Sequence, residues 1–182
     1  MNILIFGVSN VGKSTIGALI AEHLEYKFYD IDEEIKSKYK TTLTEFTRTG
    51  TVSSRDLKRS QIVKQIIRKN ENTVIAVSPV SYCEHFMNIL RSDDVISLAI
   101  EDSPENIYNR IVFSDDEDNV YKDDEYRDAH RDYYLNLNEI KEDIRHYEFC
   151  TFQFLDNRFD INGMPADEAA EWIATDIEEI LD

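Results

Sequence analysis

Residues 7–14, GVSNVGKS, restrict the fold more than any other part of the sequence. They fit the pattern GxxxxGK[ST] in full and follow an apolar run, Asn2–Phe6, that is typical of a buried β-strand. Apolar residues at helical spacing come next, at residues 16–24. A strand, a glycine-containing loop and a helix in this order predict a loop whose backbone N–H groups surround a phosphate at the helix N-terminus.

Each residue type in this loop suits a nucleotide phosphate. The glycines allow backbone N–H groups to approach an anion, and Lys13 can reach the β and γ phosphates. The hydroxyl of Ser14 holds Mg²⁺ in loops of this kind. The alternative is a glycine-containing turn that carries a lysine by chance, but the order of strand, loop and helix disfavours it. We therefore predict a site for ATP or GTP with Mg²⁺, formed by Gly7, Ser9, Asn10, Val11, Gly12, Lys13, Ser14 and Thr15.

Four more short runs predict β-strands, at residues 27–32, 73–78, 94–100 and 158–161. Helical patterns separate them, and one helix is expected to begin with Ser103 as its N-cap and to end at Arg110. A last helix is predicted near the end of the sequence, and its apolar residues lie on one face: Ala169, Ala170, Ile173, Ile177 and Leu181. Alternating strands and helices predict an α/β fold with a five-stranded parallel sheet and helices on both faces.

Composition narrows the class of protein. A length of 182 residues fits a single domain, 1–182, and no apolar run approaches a membrane span. The net charge of −17 disfavours nucleic acid as a partner. Cys83 and Cys150 show no metal-binding spacing and suit reduced thiols. The N-terminus lacks the pattern of a signal peptide, so we expect a cytoplasmic protein.

Two acids close the second predicted strand, Asp30 and Asp32 in FYDIDEEI. Ligands of open α/β sheets bind at the carboxyl ends of the strands, so these acids are expected to face the same crevice as the phosphate loop. They are candidates for binding magnesium and an acceptor. Capping of the following helix is the alternative, and it would explain one acid but not both.

The phosphate loop together with FYDIDEEI resembles the shikimate kinase family of P-loop small-molecule kinases. The resemblance implies a P-loop NTPase fold, ATP and Mg²⁺ as cofactors, and a mobile lid at about residues 113–126. It also implies that Asp32 aligns the acceptor hydroxyl and that Asp30 helps to order Mg²⁺. Gly50 and Arg55 have the spacing of the family's glycine and of the arginine that binds the acceptor carboxylate.

Three later segments extend the resemblance along nearly the whole chain. DSPENIYNRI matches the helix that ends in a nucleotide-contacting arginine, here Arg110. RDAHRDYY matches the start of the helix after the lid, which supplies a second substrate arginine, here Arg131. DINGMPADEAAEWI matches the last strand and the adenine-side loop around Asn162. The resemblance thus implies catalysis by Lys13, Asp32 and Arg110, Mg²⁺ binding by Ser14 and Asp30, and acceptor binding by Asp32, Arg55, Ser78 and Arg131.

The sequence departs from the family pattern at three places. Ser78, Pro79 and Val80 replace the glycine-rich turn that lines the acceptor pocket. Lys58 stands where the family usually has a glutamate that orients the arginine. Seven acids and one lysine lie between Ser114 and Tyr126, in the segment that matches the lid.

The predicted function is therefore ATP-dependent transfer of a phosphoryl group to a small, anionic, hydroxylated acceptor. The altered turn leaves open a kinase for another acceptor, such as a sugar acid, a polyol or a nucleotide. The acidic lid leaves open a nucleotide-binding regulatory protein without catalysis. A GTPase switch is disfavoured because the sequence has no guanine-binding signature of the NKxD type.

Overall fold

The computed structural model describes residues 1–111, 113, 117, 119–120 and 133–181. Five strands form one parallel sheet in the order β2-β3-β1-β4-β5. This confirms the predicted α/β fold. The strands are β1 (Asn2–Phe6), β2 (Lys27–Asp30), β3 (Thr73–Ala76), β4 (Val95–Glu101) and β5 (Asn157–Asp160).

Helices occupy most of the remaining described chain. They are α1 (Lys13–His23), α2 (Ile31–Tyr39), α3 (Leu43–Arg48), α4 (Val52–Ile67), α5 (Met87–Leu90), α6 (Pro104–Asn109), α7 (Tyr133–Cys150) and α8 (Ala166–Leu181). Short 3₁₀ turns lie at Cys83–His85 and Phe152–Phe154. Of the predicted lid at 113–126, only residues 113, 117, 119 and 120 are described, so the lid and the single-domain division remain predictions.

Strand β1 lies at the centre of the sheet, and all five of its residues are buried. The chain passes from β1 to β2 in one direction across the sheet, and every later connection runs in the opposite direction. Because crossovers between parallel strands are right-handed, α1 covers one face and the helices between β2 and β5 cover the other. Helix α8 packs against α1 on the same face of the sheet. With the other helices on the opposite face, the prediction of helices on both faces is confirmed.

The ends of two elements differ from the prediction. Strand β2 stops at Asp30, two residues early, because the side chain of Asp30 accepts the N–H groups of Asp32 and Glu33 and starts α2. The apolar face of α8 is buried up to Ile177, but Leu181 is 37% exposed. Leu181, the last residue of the helix, extends past the buried part of the predicted apolar face.

The predicted start of α6 is confirmed. Ser103 accepts the N–H of Asn106 as the N-cap, Pro104 is the first helical residue, and Arg110 follows the last one. Both cysteines are free thiols. Among the described residues, none of the helices has the length and apolar character needed to cross a membrane.

Candidate active site

A cavity of about 620 Å³ opens at the carboxyl edge of the sheet, where β1, β2 and β3 end. Six residues of the phosphate loop line it: Ser9, Asn10, Gly12, Lys13, Ser14 and Thr15. Asp30, Asp32, Ser78 and Arg110 line it from the other segments. The structure therefore brings ten of the predicted site residues to one cavity, whose volume is in the range of ligand sites.

The backbone of the phosphate loop requires glycine at two positions. Gly7 and Gly12 have φ angles of 152° and 112°, in a region that other residues rarely adopt. A Cβ at Gly7 would lie 2.7 Å from the carbonyl oxygen of Ile100 on the neighbouring strand. Gly7 lies outside the cavity lining, so its contribution is the close approach of the loop to β4.

Lys13 is buried at the start of α1, and its Nζ donates to the carbonyl of Val8 at 2.8 Å. Burial lowers the pKa of Lys13 to about 8, against the opposing charges of Asp32 and Asp30. A phosphate at the loop would favour the ammonium form, because an opposite charge stabilises it. The side chain is thus placed to form an ion pair with a bound phosphate.

Ser14 and Asp30 form a pair of hard oxygen groups beside the loop. The Ser14 hydroxyl donates to Oδ2 of Asp30, while Oδ1 of Asp30 caps α2. Asp30 therefore serves as a cap and also faces the cavity, whereas Asp32 lies in the first turn of α2. Hydroxyl and carboxylate oxygens are ligands that suit Mg²⁺, which binds few protein groups when phosphates complete its coordination.

Asp32 is held at the wall of the cavity by Ser78, whose hydroxyl donates to Oδ1 of Asp32. Burial raises the pKa of Asp32 above its usual value, and the charge of Asp30 adds to this. The hydrogen bond from Ser78 and the charges of Lys13 and Arg59 oppose the increase. A carboxylate with a raised pKa is suited to accept a proton from a hydroxyl group.

Arg110 is held in place by Asp102, a residue that was not among the predicted site residues. The Asp102 side chain is fully buried and accepts from Arg110, from Nδ2 of Asn106 at 2.8 Å and from the N–H of Gly163 at 3.1 Å. Burial alone would raise the pKa of Asp102, but the hydrogen bonds from Asn106 and Arg110 lower it overall. Its position directly after β4 and before the cap of α6 was the only sequence signal.

Some predicted residues lie away from the cavity lining. Arg55 donates from Nη1 to the carbonyls of Thr49 and Gly50, at 3.1 and 3.0 Å. Val11 is a fully buried residue of the phosphate loop. Asn162 lies next to Gly163 in the loop after β5. Arg131 lies outside the described residues.

The family model and the curated relatives agree on one family. The model of the shikimate kinase family matches residues 9–177. The shikimate kinase of Caldicellulosiruptor saccharolyticus is 35% identical over 112 residues, covering 60% of this chain and 63% of the relative. That of Macrococcus caseolyticus is 35% identical over 114 residues, covering 62% and 66%. The chain thus matches less than two thirds of the length of these curated relatives.

Solved structures show the same fold at lower identity. The shikimate kinase of Acinetobacter baumannii in complex with shikimate has a TM-score of 0.74 and 20% identity, covering 98% of this chain and 93% of that chain. The shikimate kinase of Aquifex aeolicus has a TM-score of 0.69 and 21% identity, with coverages of 98% and 96%. A gluconokinase of Sinorhizobium meliloti has a TM-score of 0.60 and 16% identity, with coverages of 99% and 94%.

Proposed function

The chain belongs to the shikimate kinase family, and from that premise we propose that it transfers the γ-phosphoryl group of ATP to a hydroxyl of a small anionic acceptor. Shikimate is the first candidate acceptor, since the curated relatives and two of the structural neighbours are shikimate kinases. The observation that carries the proposal is one cavity lined by both the phosphate loop and Asp32. A nucleotide phosphate and an acceptor hydroxyl can therefore meet there.

The nucleotide end of the cavity supplies positive charge. The loop N–H groups and the N-terminus of α1 favour the phosphates, and Lys13 is placed to contact the transferred group. Arg110 faces the same cavity from the end of α6, and its pairing with Asp102 fixes the orientation of the guanidinium. Charge that develops on the phosphoryl group in the transition state would be stabilised by both side chains.

The acceptor end supplies a proton acceptor and orientation. Asp32 would align the acceptor hydroxyl and accept its proton as the oxygen attacks the phosphorus atom. Ser78 fixes the Asp32 carboxylate. Ser14 and Asp30 fit Mg²⁺, which would neutralise phosphate charge when it is bound with ATP.

The charge of the acceptor side favours an anionic substrate. Residues 31–67, which form most of the connection from β2 to β3, contain eight Lys and Arg and five Asp and Glu, a net charge of +3 in a chain of net charge −17. Arg55 belongs to this segment and keeps part of its guanidinium available beside two backbone carbonyls. Arg55 and Arg131 are proposed to bind an anionic group of the acceptor, as the family position suggests.

A kinase for another small acceptor is the second candidate function. Ser78 and Pro79 line the cavity where the family pattern has a glycine-rich turn, so the shape of this wall differs. Proline also removes one backbone donor from the turn. The structural neighbour from Sinorhizobium meliloti is a gluconokinase, so this fold is compatible with a sugar acid as acceptor.

The test is ADP release measured by a coupled assay against shikimate, other hydroxy acids, sugars, polyols and nucleotides. Acceptor-dependent ADP release with shikimate would support the first candidate, and release with another acceptor alone would support the second. Phosphorylation of the acceptor must then be verified by mass spectrometry. Nucleotide binding without turnover on any acceptor would contradict both and favour a regulatory nucleotide-binding protein.

A further inference from the structure

The segment after β3, residues 77–82, forms one wall of the cavity and is named here the β3 loop. Its first part faces the cavity, because Ser78 and Pro79 line it and Ser78 donates to Asp32. Its last part leaves the cavity and approaches helix α4. Two residues lie between Ser78 and Ser81, so the Cα atoms of these two serines are within about 11 Å of each other.

Asp56 on α4 holds the last part of the β3 loop. Its side chain is fully buried, and Oδ2 accepts the backbone N–H groups of Ser81 and Tyr82 at 3.0 Å each. Oδ1 accepts from Nη1 of Arg59 at 2.8 Å. The guanidinium of Arg59 is also buried and lies 5.4 Å from the ring centre of Phe46. Both carboxylate oxygens are therefore in use.

This arrangement is energetically sensitive to the loss of one partner. A buried carboxylate is stabilised by charge-assisted hydrogen bonds and by a paired cation, and removal of either leaves a group unsatisfied. Two adjacent N–H groups bound by one oxygen also fix the local backbone direction. Two more contacts reach the same loop: the hydroxyl of Thr151, directly after α7, donates to the carbonyl of Val80, and Nε2 of His146 on α7 lies 2.9 Å from the Ser81 hydroxyl. Neither replaces the acceptor for the two N–H groups.

The composition of the β3 loop makes this anchor important for the site. Pro79 has a fixed φ angle and lies between Ser78 and the anchored residues. The fixed φ of Pro79 removes one of the backbone angles that could compensate for a displacement of Ser81, so such a displacement would shift Ser78 as well. Ser78 would then lose its alignment with Asp32.

We propose that Asp56, held in place by Arg59, is a positioning residue for the acceptor side of the site. It fixes the β3 loop so that Ser78 orients the Asp32 carboxylate toward the acceptor hydroxyl. The inference rests on the proposed function, because it assigns the loop to acceptor binding and phosphoryl transfer. Neither Asp56 nor Arg59 lines the cavity, so neither is assigned contact with the substrates.

The test compares Asp56→Asn with Thr73→Val. Thr73 is fully buried at the opposite end of β3 and donates to Asn2 at 2.8 Å, so its replacement removes a buried hydrogen bond far from the loop. We expect Asp56→Asn to raise the acceptor KM about tenfold and to lower kcat several-fold, with the ATP KM within about twofold of wild type. Thr73→Val should lower the melting temperature and leave both KM values unchanged.

Arg59 provides a second pair of variants. Arg59→Met removes the cation beside the Asp56 carboxylate and should reproduce the kinetic changes of Asp56→Asn. Arg59→Lys keeps the charge and should stay closer to wild type. If Asp56→Asn does not fold, this pair decides the question with the same measurements.

Amide exchange separates failure of this inference from failure of the proposed function. Exchange at Ser81 and Tyr82 should accelerate about tenfold or more in Asp56→Asn and remain unchanged in Thr73→Val. Unchanged exchange at these amides would overturn the inference. Accelerated exchange with an unchanged acceptor KM and kcat would overturn it as well. A wild-type protein that phosphorylates none of the acceptors would contradict the proposed function, and exchange would still decide whether Asp56 holds the loop.

Discussion

The two ends of the cavity are each supported by a buried aspartate, but the group through which each aspartate reaches the cavity differs. At the nucleotide end, Asp102 pairs directly with Arg110, a charged side chain that lines the cavity. At the acceptor end, Asp56 binds backbone N–H groups of a loop, and the loop carries Ser78 to Asp32. One end is thus fixed through a side chain and the other through main chain.

We infer from this difference that the acceptor site can change while the nucleotide site is kept. The phosphate loop is formed within residues 7–14, and Arg110 is held by Asp102, which also binds the backbone of Gly163. The acceptor end depends on the connection of residues 31–67 and on the β3 loop, which are separate from the phosphate loop. Substitutions there can alter the acceptor pocket without altering the phosphate site.

The largest effect is expected from Lys13→Ala at the nucleotide end. Loss of a positive charge that acts in the transition state should lower kcat by about a hundredfold or more. Lys27→Ala is the control, because Lys27 is an exposed lysine paired with Glu71. Steady-state kinetics and circular dichroism of both variants are the measurements. Wild-type kcat in a folded Lys13→Ala protein would remove the loop from the mechanism.

Asp32→Asn should have the next largest effect, at the acceptor end. Loss of the proton acceptor should lower kcat by about a hundredfold, while the Kd for ATP stays near that of wild type. Glu33→Gln, at the adjacent exposed position, is expected to leave both values unchanged. Calorimetric ATP binding and single-turnover transfer are the two measurements. Equal loss of binding and transfer would show that the two ends are not separable at this residue.

Asp102→Asn tests whether the nucleotide end is held independently. The buried partner of Arg110 loses its charge, so the ATP KM should rise about tenfold with an unchanged acceptor KM. Asp160→Asn is the matched control, because Asp160 also accepts a backbone N–H in this region but is exposed. Asp56→Asn is expected to show the reverse pattern. A rise in the acceptor KM of Asp102→Asn would argue against two independent ends.

Arg55→Lys should give the smallest effect, a rise of the acceptor KM of about three- to tenfold. Lysine keeps the charge but loses the planar group that binds both oxygens of a carboxylate. Arg68→Lys, at the exposed C-terminal end of the same helix, is the control. The comparison is made with the best acceptor found. An acceptor KM equal to that of wild type would exclude Arg55 from acceptor binding.

The conformation of the phosphate loop could be predicted from the sequence because its geometry is local. The pattern of Gly7, Gly12 and Lys13 encodes a backbone conformation within eight residues, and Ser103 identified the start of α6 in the same way. The contact of Asp102 with Gly163 joins residues 61 positions apart, so no local pattern indicates it.

The acceptor end was less predictable for the same physical reason. Asp56 and Arg59 resemble an exposed i, i+3 pair in the sequence, but the structure buries both against the β3 loop and Phe46. Burial of a charged pair depends on how α4 packs, and periodicity alone does not reveal it. Arg55 was predicted from the resemblance to the family, through its spacing from Gly50, and the kinetics of Arg55→Lys test its role.

The hydrogen bond from Ser78 to Asp32 bears on which hydroxyl of a polyhydroxylated acceptor is phosphorylated. Ser78 donates to Oδ1 and so fixes the rotation of the carboxylate, and in the proposed reaction Oδ2 would receive the acceptor hydroxyl. If one carboxylate oxygen at a fixed place accepts the proton, the acceptor hydroxyl would approach the phosphorus atom from one direction. An acceptor with several similar hydroxyl groups would then be modified at one of them, so regioselectivity would be set by a serine that itself takes no part in the chemistry.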